Sequence, residues 1–141
     1  MKMSGMEKRI TLTINDYKKL LGLLQFSQSR SLPGELFDRL HAHLSSAKMV
    51  EQESIDSRVV TMNSRVHLKD VANNRQSEVT LTYPWEAEPR KRKISILSEP
   101  GVALLGKEEN DIVSWRTPEK VGQFEIVKVS YQPEAAKDYF L

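Results

Sequence analysis

The hydrophobic positions of this chain change their period twice. Ile10, Leu12 and Ile14 alternate with Thr11 and Thr13, which predicts a short extended segment. The spacing then becomes helical: Tyr17, Leu20, Leu21 and Leu24 share a face, Asn15 is the expected N-cap, and the pattern fades near Phe26. Ser27 to Ser31 is polar and turn-like. Leu36, Phe37, Leu40, Leu44 and Ala47 mark a second helix from about Pro33 to about Met49, with Glu35 in the first turn, where the helix dipole favours an anion. So short a connection makes the two helices antiparallel, with their apolar stripes facing each other.

After an acidic linker from Glu51 to Ser57, the period falls to two. Val60, Met62, Val66 and Leu68 share parity and predict one strand with one buried face. Ala72 to Arg75 is a turn. Val79, Leu81, Tyr83 and Trp85 continue the alternation, and Pro84 and Pro89 end it. Ile94 and Ile96 form a short third strand, and Ile112 to Trp115 a fourth. The last strand, Val121 to Tyr131, slips parity: Phe124 and Ile126 point one way, Val127, Val129 and Tyr131 the other. A bulge near Ile126 or burial on both faces would each explain that slip. Tyr83, Trp85, Trp115, Phe124 and Tyr131 sit at inward strand positions and are expected in the core.

Between the third and fourth strands lies a short helix with strong punctuation. Ser98 is the N-cap, Pro100 fits the first turn, Val102 to Leu105 are apolar, and Gly106 is the left-handed residue after the last turn. A helix of about two turns does not survive alone and must lie on the sheet. The fold class is therefore α+β: a short N-terminal antiparallel helical hairpin, then an antiparallel β-sheet packed on one short helix, divided as residues 1–50 and 51–141.

Ala103-Leu-Leu-Gly-Lys107, followed by Asp111 and a strand, resembles the C-terminal domain of the bacterial transcript-cleavage factors of the GreA/GreB family. Val59 to Val66 and the tail Tyr131 to Leu141 resemble the short Rnk-type regulators of that family. The resemblance covers about residues 10 to 141, with the motifs in order. It implies an FKBP-like fold for the C-terminal part and a short coiled coil for the hairpin. One departure is local: the family usually has Pro directly after the helix cap, whereas here Glu99 intervenes and Pro100 comes one residue later.

A length of 141 residues allows one domain, or one with a small appendage, and 28% charged with 39% hydrophobic residues is ordinary for a soluble protein. No apolar run reaches the length of a membrane span, and no signal peptide is visible. Without cysteine there is neither a disulfide framework nor a thiolate metal site, which fits a cytoplasmic setting. A net charge of +2 does not argue for nucleic acid as the main partner.

As the resemblance implies, cleavage factors carry paired acids at a hairpin tip, where carboxylates hold a second magnesium ion. Here the tip, Phe26 to Pro33, has no acid. Glu35 and Asp38 follow, already within the second helix, where helix-start acids are favoured in any case. A helix of about 17 residues would reach only ~25 Å. No catalytic residue, cofactor or metal is expected. His41 and His43 are two apart on a helix and point to different faces, and His67 sits on the exposed side of its strand. Arg90-Lys-Arg-Lys93 is a solvated basic turn or a patch for phosphates or an acidic protein surface. No aromatic residue interleaves it, so a stacking platform is not expected. Fold analogy with prolyl isomerases does not by itself give activity.

The resemblance places polymerase docking at the loop before the short helix, here Ser98, Glu99 and Pro100, with Glu99 either adding a charge contact or weakening the match. The expected protein is a monomeric, non-enzymatic regulator that docks at the secondary channel of RNA polymerase in competition with Gre factors, near the nucleic acid of the transcription complex. The alternative is a shortened cleavage factor using Glu35 and Asp38.

Overall fold

The computed structural model describes residues 9–27 and 34–139. Strand β1 (Thr11–Thr13) runs directly into helix α1 (Ile14–Ser27), and helix α2 (Gly34–Ser46) leads back to strand β2 (Lys48–Val50). β1 and β2 pair in parallel, Leu12 opposite Met49, so the two helices form the crossover of a small two-stranded sheet. Of the expected tip, Phe26 and Ser27 belong to α1, and residues 28–33, with the expected helix start at Pro33, lie outside the described residues.

Two of the expected helix boundaries move. The amide of Asp16 donates to Thr13 Oγ1 at 3.0 Å, so Thr13 caps α1 and Asn15 already lies inside the helix. α2 ends at Ser46 instead of running to Met49. The hydroxyls of Ser45 and Ser46 bond back to the carbonyls of His41 and Ala42, and Lys48 N–H donates to Ile10 O at 2.8 Å. Lys48 to Val50 thus finds its backbone partners in β1, which local propensity does not reveal.

The main sheet has five strands in the order β5-β4-β3-β7-β6. β3 is Arg65–Asp70, β4 Gln76–Thr82, β5 Lys93–Ser95, β6 Ile112–Arg116 and β7 Val121–Tyr131. β3 pairs antiparallel with β4 and β7, and β6 antiparallel with β7, but β5 lies parallel to β4. The expectation of a wholly antiparallel sheet is therefore corrected. Two 3-10 turns, Pro84–Glu86 and Pro89–Lys91, carry the chain back so that it re-enters beside β4 in the same direction.

The strand expected to span Val60 to Leu68 is also shorter. Val60 and Met62 are buried, yet they precede β3 in a turn where Asn63 has φ 66° and Ser64 Oγ accepts from Thr61 N–H at 2.9 Å. Val59 to Met62 are all buried and burial alternates only from Met62 to Leu68, so the apolar parity runs on through the turn and reads as one strand. In β7 the register against β3 shifts twice, leaving Val127 and Ser130 as extra residues. The parity slip is thus a bulge beside fully buried Ile126, with Val127 turned outward.

Helix α3 (Glu99–Leu104) packs on β5 and β6. One hydrophobic cluster joins Leu20 and Leu24 of α1, Leu36 and Leu40 of α2, Val66, Leu81 and Ile126 of the sheet, and Val102 and Leu104 of α3. Gly106 has φ +74°, and a Cβ there would lie 2.5 Å from Ile10 Cβ, so the end of α3 closes directly on the start of β1.

Candidate functional site

The loop Leu97 to Pro100 leaves β5 and opens α3, and all four residues are half-buried. Its conformation is held from inside. Ser98 Oγ donates to Ser95 O at 2.6 Å and accepts from Gly101 N–H at 3.2 Å, so the hydroxyl both caps the helix and ties it to β5. Gly101 is required by this approach, because a Cβ would collide with the Ser95 carbonyl oxygen. The one-residue displacement of Pro100 is tolerated because both of the first helical positions leave their amides without an intrahelical acceptor.

Glu99 takes the position before it and faces two elements. Its Oε2 accepts from Arg116 N–H at 3.0 Å at the end of β6, and its Oε1 lies 4.0 Å from Arg39 Nη1 on α2. Glu99 therefore links the helical unit to the sheet, a contact invisible in sequence because Arg39 and Arg116 lie far from it along the chain. Glu35 and Asp38 are both exposed on α2. Among the described residues, no group of three or more histidines, cysteines or acids is arranged to hold a metal ion.

A second polar constellation was not anticipated. Asp16, 4% exposed in the first turn of α1, accepts from Met62 N–H at 3.1 Å. Glu134, 8% exposed in the C-terminal segment, accepts from Thr61 Oγ1 at 2.7 Å. Burial, with the Glu134 charge adding to it, pushes the Asp16 carboxyl up to about 7, against the opposing Met62 hydrogen bond and Lys19. The buried Tyr83 hydroxyl has no hydrogen-bond partner among the described residues, and burial, Asp16 and Glu134 together push its ionisation above the ordinary tyrosine range. Gln132 Nε2 donates to the carbonyls of Asp56 and Val59, both at 2.8 Å.

The Val59-to-Val66 motif and the Tyr131 tail therefore meet each other and the foot of α1 in one joint. The capping-box spacing of Thr13 and Asp16 was a readable hint; nothing local marks Glu134. Phe140 and Leu141, at the end of the tail, lie outside the described residues.

The expected aromatic core is corrected at two positions. Tyr83 is buried, but Trp85 is 73% exposed, because Pro84 ends β4 and the 3-10 turn places the indole against Tyr83 with ring centroids 5.2 Å apart. Tyr131 is half-buried, and its hydroxyl donates to Asp138 Oδ2 at 2.8 Å, with the Arg65 guanidinium 5.8 Å from its ring. Trp115 and Phe124 stack at 4.0 Å on the flank of the core. Arg90, Lys91 and Arg92 are exposed and Lys93 is half-buried, which both the solvated-turn and the patch reading allow.

Residues 55–131 match the family described as transcription elongation factor, GreA/GreB, C-term. Regulator of nucleoside diphosphate kinase from Escherichia coli K12 is 35% identical over 94% of this chain and 98% of its own length. Transcription elongation factor GreA from Clostridioides difficile is 34% identical over 64% of this chain but only 57% of its own length. Among solved structures, a prokaryotic transcription elongation factor GreA/GreB from Nitrosomonas europaea superposes with a TM-score of 0.75 at 36% identity, covering 89% of this chain and all of that one.

Proposed function

The chain belongs to the GreA/GreB family, and from that premise we propose that it is a non-enzymatic, Rnk-type regulator that binds RNA polymerase at the secondary channel and competes there with Gre factors. The observation that carries this reading is the likeness over nearly the whole length of a protein named a regulator, set beside a match to only part of an elongation factor. In this reading residues 51–141 form an FKBP-like docking domain, with Ser98, Glu99 and Pro100 at the polymerase contact. Residues 1–50 form the antiparallel hairpin, a short coiled coil.

Reach argues against transcript cleavage. α1 and α2 have 14 and 13 residues, about 20 Å each at ~1.5 Å per residue. Glu35 and Asp38 are exposed in the first two turns of α2 and are the acids a shortened cleavage factor would use. Among the described residues, no helix is long and apolar enough to cross a membrane.

The test is retention on immobilised core polymerase with a Gre factor titrated in. Retention lost in step with added Gre, and weakened at least several-fold in a Ser98→Ala, Pro100→Ala double variant, is the expected result. No retention at low salt overturns the reading. A stalled-complex assay separates the alternative: cleavage that disappears in Glu35→Gln, Asp38→Asn would make the protein a cleavage factor.

A further inference from the structure

We propose that the exposed face of Trp85, together with the adjoining turn of Arg90 and Arg92, binds single-stranded nucleic acid, a base stacking on the indole while backbone phosphates meet the two guanidinium groups. The inference does not depend on polymerase docking.

The aromatic component is the unexpected one. Trp85 leaves 73% of its surface exposed, so one face of the indole is open to a ligand. Trp85 is also rigidly held: its ring lies within 5° of parallel to Tyr83, whose own ring is buried in the core. Its outer face is thus a fixed flat platform, the geometry that nucleobases stack on regardless of sequence.

The basic component belongs to the same compact unit. The 3-10 turn carrying Trp85 packs on β5, and the segment from Glu88 to Lys93 is closed by a pair of backbone hydrogen bonds, 2.9 and 3.1 Å, between those two residues. Within it Glu88 lies 3.8 Å from Lys91, while Arg90 and Arg92 are exposed and Arg92 adopts φ 57°. Glu86, beside Trp85, is the opposing charge. Cations alone would suit an acidic protein surface equally well; the immobilised indole favours a ligand that offers both a π-face and an anion. The low net charge of the whole chain does not count against such a local site, because screening limits the field to about 8–10 Å.

The experiment measures binding of a fluorescein-labelled oligouridylate of about 12 nucleotides to the full chain by anisotropy at low salt, with tryptophan quenching read in parallel. Trp85→Ala is expected to weaken binding at least about fivefold and to abolish the quenching, with Trp85→Phe retaining part of the affinity. Arg90→Ala with Arg92→Asn, the latter chosen because asparagine accepts a left-handed backbone, should lower the slope of log K against log salt by about 1.4, two phosphates' worth. Circular dichroism confirms that each variant folds.

The proposal is overturned if the oligonucleotide does not bind, or if Trp85→Ala binds as tightly as the parent. It is equally overturned if a polyglutamate peptide binds in its place and depends on Trp85, which would make this a protein-docking face.

Discussion

Asp16 and Glu134 come from opposite ends of the chain and grip adjacent residues of the same turn, Asp16 through Met62 N–H and Glu134 through Thr61 Oγ1. Two buried carboxylates thus hold the foot of α1 and the C-terminal segment against the approach to β3. Burial and the nearby Glu134 charge both oppose ionisation of Asp16, so the joint tightens when Asp16 carries a proton.

The pH dependence of stability follows. Asp16 is raised from its ordinary value to about 7 in the folded protein, so between about pH 4 and 7 the native state binds more protons than the unfolded chain. Stability should therefore fall as pH rises through that window, and the burial penalty is complete above it. Urea titrations at pH 5 and pH 8 should show the parent less stable at pH 8 by on the order of 1–3 kcal/mol. Asp16→Asn keeps an acceptor for Met62 N–H and should flatten the difference; an unchanged difference in that variant would remove Asp16 as its source.

Tyr83 supplies a complementary expectation. Its buried hydroxyl lacks a partner among the described residues, so Tyr83→Phe removes an unsatisfied group while keeping the ring that supports Trp85. Thermal unfolding should show a variant at least as stable as the parent, gaining up to ~1–2 kcal/mol. A loss above ~1 kcal/mol would mean that the hydroxyl has an ordered water or protein partner in solution.

Gly101 supports the loop before α3 sterically. Gly101→Ala drives a methyl group into the Ser95 carbonyl and to 2.9 Å from Ile96 Cα, both backbone atoms that cannot step aside. A destabilisation of ~2–4 kcal/mol is expected by chemical denaturation, against ~1 kcal/mol for Ser98→Ala, which loses only the cap. Equal effects would show that α3 shifts readily on the sheet.

The Arg39–Glu99 contact is long and partly solvated, with both side chains about one third exposed. A double-mutant cycle over Arg39→Ala and Glu99→Ala should give a coupling below ~0.5 kcal/mol. Glu99→Ala alone should cost ~0.5–1.5 kcal/mol through its bond to Arg116 N–H. A coupling above ~1 kcal/mol would make the ion pair itself a lock between the helical unit and the sheet.

Periodicity and punctuation made much of this architecture legible. The cap at Ser98, the left-handed Gly106, the strand positions of Val79 and Leu81 and the long last strand all rest on residues within one or two turns of each other. Local sterics and side-chain burial decide such features, so the sequence by itself determined them, along with the motifs that announce the family. The bulge in β7 was legible as a broken parity but not as a bulge, because only the partner β3 distinguishes an extra residue from two-sided burial.

The tertiary structure decided whatever depends on partners distant in the chain. Lys48 to Val50 became a strand because β1 supplied its hydrogen bonds, and β5 turned parallel because the two proline-bearing turns returned the chain to β4. Trp85 followed strand parity in sequence yet emerged into solvent one residue after Pro84 closed the ladder. The capping-box spacing hinted at Asp16, but its meeting with Thr61, Tyr83 and Glu134 had no local signature, since those residues look like ordinary surface or strand positions until folding removes them from water. Burial and long-range hydrogen bonding are properties of the packed chain, and they decide where a charge is costly and where an aromatic ring is left free.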